Sequence, residues 1–522
     1  GISSTAVIIK TLEFLGCKNL DIYIPHRETE GYGLNIKAIE TIAKGGTKLI
    51  ITVDGGIRSI EEVEHVKELG IDVVITDHHE PGEELPDCLI INPKVKEDNY
   101  PFKGLAGVGV AFKVAQALLE NKNEGFEKWL LDLVVIGTIA DLVPLIDENR
   151  VLAKYGLVAL NKTKRLGIQK LIEIAQSAVD KKGNAREIDA WQIGFQLAPR
   201  LNAAGRLGHA SNAYKLLVTE DKDESLKIAK ELNETNQKRK NLTEEVFSLA
   251  DNALTPTLSQ GEREHAPNET EKILFAVWSG FVSSKAKENK KDEIASAPLL
   301  TGEGVGGEGA WPAGVMGLVA GRLTEKYYRP ALAITQKESA QGKKEIVGSA
   351  RSIAEFDVTA MLEKCAVFLD NYGGHKQAAG FTVKEGKLDE FLAKAKEIAE
   401  RELKDVELVP TLDIDLEINF NKISEELYEV LNKLRPFGVK NAQPKFLSKE
   451  IKVVNSNTMG ADGQHLKLKL QQESKIFDAI AFNIIDEWKE IKIGDIIDLV
   501  YYIDMNEWNG SRNIQLKIID LK

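Results

Sequence analysis

Cysteine is scarce: three residues in 522, Cys17, Cys88 and Cys365, odd in number and far apart. That excludes a disulfide framework and a CxxC-type metal knuckle, and a reducing, cytoplasmic setting is expected. Long apolar runs are missing as well. The best candidate, Leu130 to Leu145, is interrupted by Asp132 and Asp141, short of the roughly 18 residues needed to span a bilayer, so no membrane is expected as a partner. Positive charge is in deficit: 68 Lys plus Arg against 80 Asp plus Glu leave a net charge of −12, the wrong sign for indiscriminate adhesion to nucleic acid. Bound divalent ions and a few arginines can still reverse that sign locally. A starting Met is also absent, and Gly1 runs at once into a helical pattern, Ser3 to Gly16.

What remains is an ordinary globular composition, 43% hydrophobic and 28% charged. A prior of roughly 150 residues per domain gives about three domains. Up to about residue 145 the pattern alternates. A helix from Ser3 to Leu15 leads to a strand at Leu20 to Ile24. Helices near Ile36 to Ala43 and Ile60 to Leu69 precede strands at Lys48 to Val53 and Asp72 to Thr76, and Cys88 to Ile91 is a further short strand. Short apolar strands separated by helices of about ten residues imply βαβ units and a parallel sheet. Gly107 to Leu119 and Phe126 to Ala140 read as buried helices.

From Glu220 to Ala253 a polar stretch without Gly or Pro predicts one long helix that bridges domains. A second α/β region follows, with strands at Ile273 to Val277, Ala331 to Thr335 and Phe381 to Val383. Between Thr255 and Ala310 the composition breaks; Thr301 to Gly309 holds five Gly in nine residues. This reads as a flexible insertion without function, of which 280–309 should be deletable at little cost. From Val409 onward, alternation at Leu412 to Ile418, His465 to Leu470 and Asn513 to Leu521 predicts a small closed barrel.

Residues just past the carboxyl ends of neighbouring parallel strands converge on one crevice. Asp54 follows the strand Lys48 to Val53, Asp77-His78-His79 follows Asp72 to Thr76, and Asp141 ends the apolar stretch Val134 to Ala140. Carboxylates and imidazoles without thiolates suit Mn²⁺, Mg²⁺ or a related divalent ion better than structural zinc. Any one of these acids alone reads equally well as a helix cap or a solvated loop residue. Three consecutive residues Asp-His-His straight after an apolar strand are harder to assign that way.

Val53-Asp54-Gly55-Gly56, Asp77-His78-His79 and Gly137 to Pro144 (GTIADLVP) resemble the second, third and fourth motifs of the DHH phosphoesterase superfamily. Arg200 to Arg206 (RLNAAGR), Gly348 to Ser352 (GSARS) and Gly373 to Gly380 (GGHKQAAG) are similar to further motifs of its RecJ exonuclease family, and Leu434 to Gly438 (LRPFG) to the segment that opens that family's oligonucleotide-binding barrel. The resemblance implies an α/β fold of three domains, a parallel-sheet DHH domain over 1–215, a DHH-associated domain over 311–405 and an OB-like β-barrel over 406–522, with a connecting helix over 216–254 and the insertion over 255–310, enclosing a strand at 273–277, between the first two. It also implies a metal-dependent exonuclease that degrades single-stranded DNA from the 5′ end for repair and recombination, with helicase and single-strand-binding partners.

By the same resemblance two divalent metals, Mn²⁺ or Mg²⁺, flank the scissile phosphate. Asp54 would bridge them, His78 and Asp141 would bind one, Asp77 would orient the histidines, and His79 would face the phosphate. Arg200, Asn202, Arg206, Ser349, Arg351, Gly374 and His375 would surround the terminal phosphate and backbone, guanidinium forks matching phosphate oxygens and glycines permitting close approach. Surface salt bridges are the plain alternative for each arginine, and a structural role for His375. In the barrel Lys440 and Ala442 stand where the family usually has Gly and Pro. From Pro410 onward 15 Lys plus Arg face 18 Asp plus Glu, so binding there would rest on local patches and on stacking against Tyr501, Tyr502 or Trp508, each equally readable as core.

Three rivals share this ancestry. A DHH oligoribonuclease or an inorganic pyrophosphatase needs no C-terminal barrel, and a decayed, Cdc45-like binding protein would not keep Asp54, Asp77, His78, His79 and Asp141. Gly1 to Thr5 is similar to the end of the family's first motif, Asp-x-Asp-x-Asp-Gly, whose aspartates would precede Gly1. The expectation is therefore a chain lacking its first strand and nearly inactive as written, with metal-dependent activity regained on upstream extension.

Overall fold

The computed structural model describes the chain except residues 27–29, 31, 32, 121, 123, 124, 177–186, 255–270, 279–299, 303–309, 339–342, 461, 462, 483, 485, 509 and 510. Helix α1 (Ile2–Phe14) buries Ala6, Val7 and Ile8. After it α2 (Ile36–Lys44), β1 (Leu49–Val53), α3 (Ile60–Glu68), β2 (Asp72–Thr76) and β3 (Leu89–Ile91) alternate as expected. Asn35 caps α2 by accepting from the Ala38 N–H at 2.8 Å. The three strands are parallel in the order β1-β2-β3, with Val53 opposite Thr76 and Thr76 opposite Ile91. Ile39, Val63 and Val66 of α2 and α3 pack on Ile71, Val73 and Ile75 and fix those helices to one face of the sheet.

The expected strand at Leu20 to Ile24 is not there: among the described residues the segment joins no ladder. Ile22 and Ile24 instead pack against the helical core, so burial of two side chains, and not strand pairing, holds this stretch. That core is built by α1 with α4 (Gly107–Leu118), α5 (Glu127–Ala140), α6 (Asp147–Leu160), α7 (Leu166–Ile174), the short turn α8 (Ala190–Gln192), a π-helical turn at Ile193–Leu197, α9 (Ala198–Leu207) and α10 (Ser211–Val218).

Helix α11 (Lys222–Leu254) runs for 33 residues and ties two cores together. Its first half places Ile228, Ala229 and Leu232 in the helical core, and its second half places Val246, Phe247 and Ala250 against a separate cluster around Trp311 and Leu323. The polar sequence is thus the outer face of a helix with two short apolar faces.

The second lobe is a mixed sheet in the order β5-β4-β6-β7-β9-β8: β4 (Leu274–Trp278), β5 (Leu300–Gly302), β6 (Ala331–Glu338), β7 (Lys344–Arg351), β8 (Leu369–His375) and β9 (Ala378–Val383). Helices α12 (Ala313–Tyr327), α13 (Val358–Lys364) and α14 (Leu388–Glu402) accompany it. The structureless insertion expected over 255–310 is corrected at 300–302, because β5 pairs in parallel with Ala276 to Trp278 on the free edge of β4. Deletion of 280–309 would remove this edge strand. The low-complexity stretches Thr255 to Glu262 and 303–309 lie outside the described residues.

In the last lobe β10 (Leu416–Glu417) and α15 (Glu425–Asn432) precede β11 (Phe446–Met459), β12 (His465–Gln472), β13 (Lys475–Phe482), β14 (Ile496–Trp508) and β15 (Ser511–Leu521). The pairing of β14 back onto β11 closes a five-stranded ring. Of the alternating stretch at Leu412 to Ile418 only Leu416 and Glu417 pair. Tyr501 is core and not a stacking surface: it is fully buried and shares a hydrogen bond of 2.8 Å with Ser448. Tyr502 is half-buried, and the Trp508 side chain lies outside the described residues. Lys440 keeps the left-handed backbone that a glycine would favour, with φ of 57°, in a turn closed by Gly438 and Asn441.

The barrel docks on the helical lobe through this same segment. The Arg150 guanidinium of α6 donates to the carbonyls of Lys433 at 3.0 Å and Leu434 at 3.1 Å, at the exit of α15. The Leu145 N–H donates to the Val439 carbonyl at 2.7 Å.

Candidate active site

The parallel strands deliver the acidic and imidazole groups to one place. At the end of β1 the Asp54 N–H donates to the Thr76 carbonyl at 2.9 Å, and at the end of β2 the Asp77 N–H donates to the Ile91 carbonyl at 3.1 Å. Each loop therefore leaves its strand already hydrogen-bonded to the neighbour. Asp54 has φ of 60°, a conformation that Asp tolerates better than most residues, and it turns the carboxylate into the cleft. Opposite it α4 begins at Gly107, where an added Cβ would lie 1.9 Å from Asp54 Oδ1. Only glycine lets the helix start so close.

His78 Nε2 lies 3.1 Å from Asp54 Oδ1 and 3.4 Å from Asp141 Oδ2, the latter at the carboxyl end of α5. It is buried and makes no hydrogen bond of acceptable geometry with either. A buried nitrogen aimed between two carboxylates without hydrogen-bonding them is the arrangement a cation would complete. Asp54, His78 and His79 each offer a donor atom within 4.8 Å of the others. Two carboxylates and two imidazoles with no thiolate fit a hard divalent ion.

Asp77 is wholly buried and works from behind. Its Oδ1 accepts from the His78 N–H at 2.7 Å and meets His79 Nδ1 at 2.7 Å, while Oδ2 accepts from the Ile57 N–H at 3.1 Å. Asn92, also buried, donates to the His79 carbonyl at 2.9 Å. Burial works to raise the Asp77 carboxyl, but the His79 hydrogen bond and charge outweigh it and hold it below its usual range. The same hydrogen bond raises the His79 imidazole against the opposing effect of burial. Burial works to raise the Asp54 carboxyl, and the neighbouring His78 works to lower it. Asp141 is raised, by burial first, with His78 offsetting part of the rise.

The helix α9 serves three directions. Asn202 lines the cleft beside Asp54 and Asp141. Arg200 does not: its Nε donates to Asn233 of α11 at 2.9 Å and its Nη1 to the Gln196 carbonyl at 2.6 Å. Arg206 reaches the second lobe, donating to the Gly314 carbonyl of α12 at 3.1 Å.

In the second lobe the register gathers the remaining set. Ser349 of β7 pairs with Gly380 of β9, which pairs with Gly373 of β8; Arg351 pairs with Ala378, which pairs with His375. Rows two residues apart share a face, so Ser349, Arg351 and His375 stand together over a floor of small residues. Gly374 has φ of 154°, and an added Cβ would lie 2.3 Å from the Ala378 carbonyl. Helix α12 comes close enough that a Cβ on Gly317 would lie 2.9 Å from Arg351 Nη2. Burial lowers the Arg351 guanidinium from its usual value.

Gly107 and Asn92 escaped the sequence reading, Gly107 because nothing in its neighbourhood points to Asp54, 53 residues earlier. Trp191 and Phe195, which no motif points to, stack at 5.3 Å and are largely exposed at the π-helical turn that leads into α9.

A parallel sheet that presents Asp and Asp-His-His at its carboxyl end, joined there by Asp141 from the end of α5, is the arrangement of a phosphoesterase-type site. Residues 1–138 match the N-terminal domain model of the DHH family, residues 298–401 the DHHA1 domain, and residues 414–520 the RecJ OB domain. The chain is 38% identical to the single-stranded-DNA-specific exonuclease RecJ of Bacillus subtilis strain 168, over all of this chain and 59% of that protein. It is 32% identical to the protein of that name from Salmonella typhimurium strain LT2, over all of this chain and 85% of the relative. It superimposes on the crystal structure of RecJ in complex with Mn²⁺ from Thermus thermophilus with a TM-score of 0.76 and 26% identity, covering all of this chain and 67% of that one. The chain belongs to the RecJ family of DHH phosphoesterases. No described helix is long and apolar enough to cross a membrane.

Proposed function

We propose that this protein hydrolyses single-stranded DNA from its 5′ end with the aid of Mn²⁺ or Mg²⁺, in cytoplasmic DNA repair and recombination. The observation that carries the reading is His78 Nε2, buried between Asp54 and Asp141 without a good hydrogen bond to either. Supporting it are its relatives, which are single-stranded-DNA-specific exonucleases, and the structures of RecJ with Mn²⁺ and Mg²⁺. In this reading Asp54, His78 and Asp141 would hold the divalent ions.

Bound divalent ions would activate water and neutralise charge developing on the phosphoryl oxygens. The chain's own residues do the rest. Asp77 fixes His79 through Nδ1 and favours its imidazolium, which can then donate its Nε2–H to a phosphate oxygen in the cleft. Asn202 positions the strand beside the acids. Ser349, Arg351 and His375 hold the terminal phosphate, and Gly374 gives the backbone its close approach. Arg206, spanning to α12, keeps the two lobes in register. A helicase and a single-strand-binding protein would supply the strand.

The test of the phosphate pocket is Ser349→Ala and Arg351→Ala. Each is expected to lower activity on 5′-phosphorylated ends by roughly 10- to 100-fold, because a charge-assisted hydrogen bond contributes about 1.5–3 kcal/mol, with little effect on 5′-hydroxyl ends. An unchanged preference for 5′ phosphate in both variants would place the pocket elsewhere.

A further inference from the structure

The helical lobe holds a second cavity of about 480 Å³, as large as the metal cleft at about 470 Å³ and within the range of roughly 300–1,000 Å³ usual for small-molecule pockets. It lies between α1, α5, the entry to α7 and the exit of α10, and it shares no lining residue with the cleft. Asp132 lines it, whereas Asp141, past the far end of the same helix α5, belongs to the cleft; the helical rise separates the two by about 14 Å. The walls include Trp129, Leu166 and Leu217, and the cations are Lys10, Lys164 and Arg165. Arg165 is anchored from one side only. Asp132, itself buried, accepts from Thr163 Oγ1 at 2.7 Å and from the Arg165 Nε at 3.1 Å. Among the described residues neither Nη nitrogen of that guanidinium makes a hydrogen bond, although the side chain is only 17% exposed. A largely buried fork fixed by its Nε with both Nη groups unused is oriented for a further anion.

Beside it the Lys164 ammonium lies 5.7 Å from the centre of the Trp129 ring, with no carboxylate partner among the described residues. The Trp129 indole is largely exposed. Lys10 is engaged with Glu13 at 2.9 Å and Glu220 at 3.8 Å, and the nearly fully exposed Glu220 is free to turn away from an incoming anion. Two cations with unused donors, next to an indole and aliphatic walls, match a small ligand with one anionic end and one flat ring. We infer that this pocket binds a nucleoside monophosphate, with its phosphate on Arg165 and Lys164 and its base against Trp129. The anionic end and the ring follow from the pocket itself. The choice of a nucleotide rests on the proposed nuclease reading, since hydrolysis in the cleft would release such molecules at the other end of α5.

The test is calorimetric titration of the whole chain with dAMP, deoxyadenosine and orthophosphate in EDTA. A Ser349→Ala/Arg351→Ala background takes the proposed terminal-phosphate pocket out of play. In that background dAMP should still bind at one site. Adding Lys164→Gln should weaken dAMP by roughly 10-fold and leave deoxyadenosine unchanged, and Lys164→Arg should restore dAMP. Trp129→Leu should weaken both dAMP and deoxyadenosine by about 10-fold. A merely structural role of Lys164 would not separate the nucleotide from the nucleoside. In the otherwise wild-type protein Lys164→Gln should leave hydrolysis of bis(p-nitrophenyl) phosphate unchanged, because the pocket lies apart from the cleft. No binding of dAMP in the background, or an affinity unmoved by both Lys164→Gln and Trp129→Leu in folded proteins, would overturn the inference. So would orthophosphate binding as tightly as dAMP with no effect of Trp129→Leu, since the pocket would then serve any small anion. Failure of the nuclease reading looks different: wild type binds dAMP through Lys164, which supports the pocket, but does not shorten single-stranded DNA with metal.

Discussion

Asp54 depends on a residue that carries no chemistry. The start of α4 lies so close that a single methyl at Gly107 would overlap Asp54 Oδ1, at 1.9 Å. Alanine is the better helix former by about 1 kcal/mol, so Gly107→Ala should leave helicity intact while displacing the carboxylate. We expect loss of Mn²⁺ affinity and of metal-dependent hydrolysis with an unaltered far-ultraviolet spectrum, measured by titration calorimetry and circular dichroism. Undiminished Mn²⁺ affinity in this variant would show that Asp54 is not a ligand. The division of labour between the two histidines is also set by single atoms: Asp77 engages the ring of His79 but only the backbone of His78, leaving the His78 ring to the carboxylates.

Among the elements, the seam between β11 and β14 closes the barrel, and Tyr501 sits in it against Phe446 with its hydroxyl on Ser448. Burial pushes the Tyr501 phenol up to about 12, with Ser448 opposing slightly. The folded state binds this proton more tightly than the unfolded chain, whose tyrosines titrate near 10. The resulting stability is fully present below about pH 10 and is lost as pH rises towards 12, roughly 2–3 kcal/mol in all. Urea unfolding of the barrel followed from pH 9 to 12 should show this loss, and Tyr501→Phe should reduce it; an equal pH dependence in both proteins would contradict the assignment. The same residue shows where sequence stops being informative. Alternation told strands from helices in β12 and β15, and the acids after β1 and β2 were legible because strand ends fix where they converge. Which aromatic turns inward at a barrel seam depends on ring closure between β11 and β14, some fifty residues apart, and no local pattern carries that. For the same reason the pairing of β5 with β4 was hidden inside a glycine-rich stretch, while Leu20 to Ile24, apolar enough for a strand, found no ladder to join. The Ser349, Arg351 and His375 cluster was legible as motifs, yet its shared face follows from the β7-β9-β8 register alone.

At the scale of the molecule, two ties hold three lobes: α11 between the helical lobe and the second sheet, and the contact of Arg150 and Leu145 with residues 433–439 under the barrel. Arg150 donates to successive carbonyls at the end of α15, a junction that water can partly replace, so Arg150→Ala should cost only about 1–2 kcal/mol. Its effect should be on reach. Long strands that engage the barrel are expected to show a raised KM, while dinucleotide hydrolysis keeps its kcat. A uniform loss on both substrates would place Arg150 in folding and not in docking. The central claim is that Asp54, His78 and Asp141 hold the ion that drives hydrolysis of single strands. The most direct test compares the protein with its His78→Ala variant on 3′-labelled single-stranded DNA, duplex DNA and RNA across a Mn²⁺ and Mg²⁺ titration. The account predicts metal-dependent shortening of single-stranded DNA from the 5′ end alone, abolished by His78→Ala together with its Mn²⁺ affinity. Metal-independent cleavage, or full activity in His78→Ala, would contradict it.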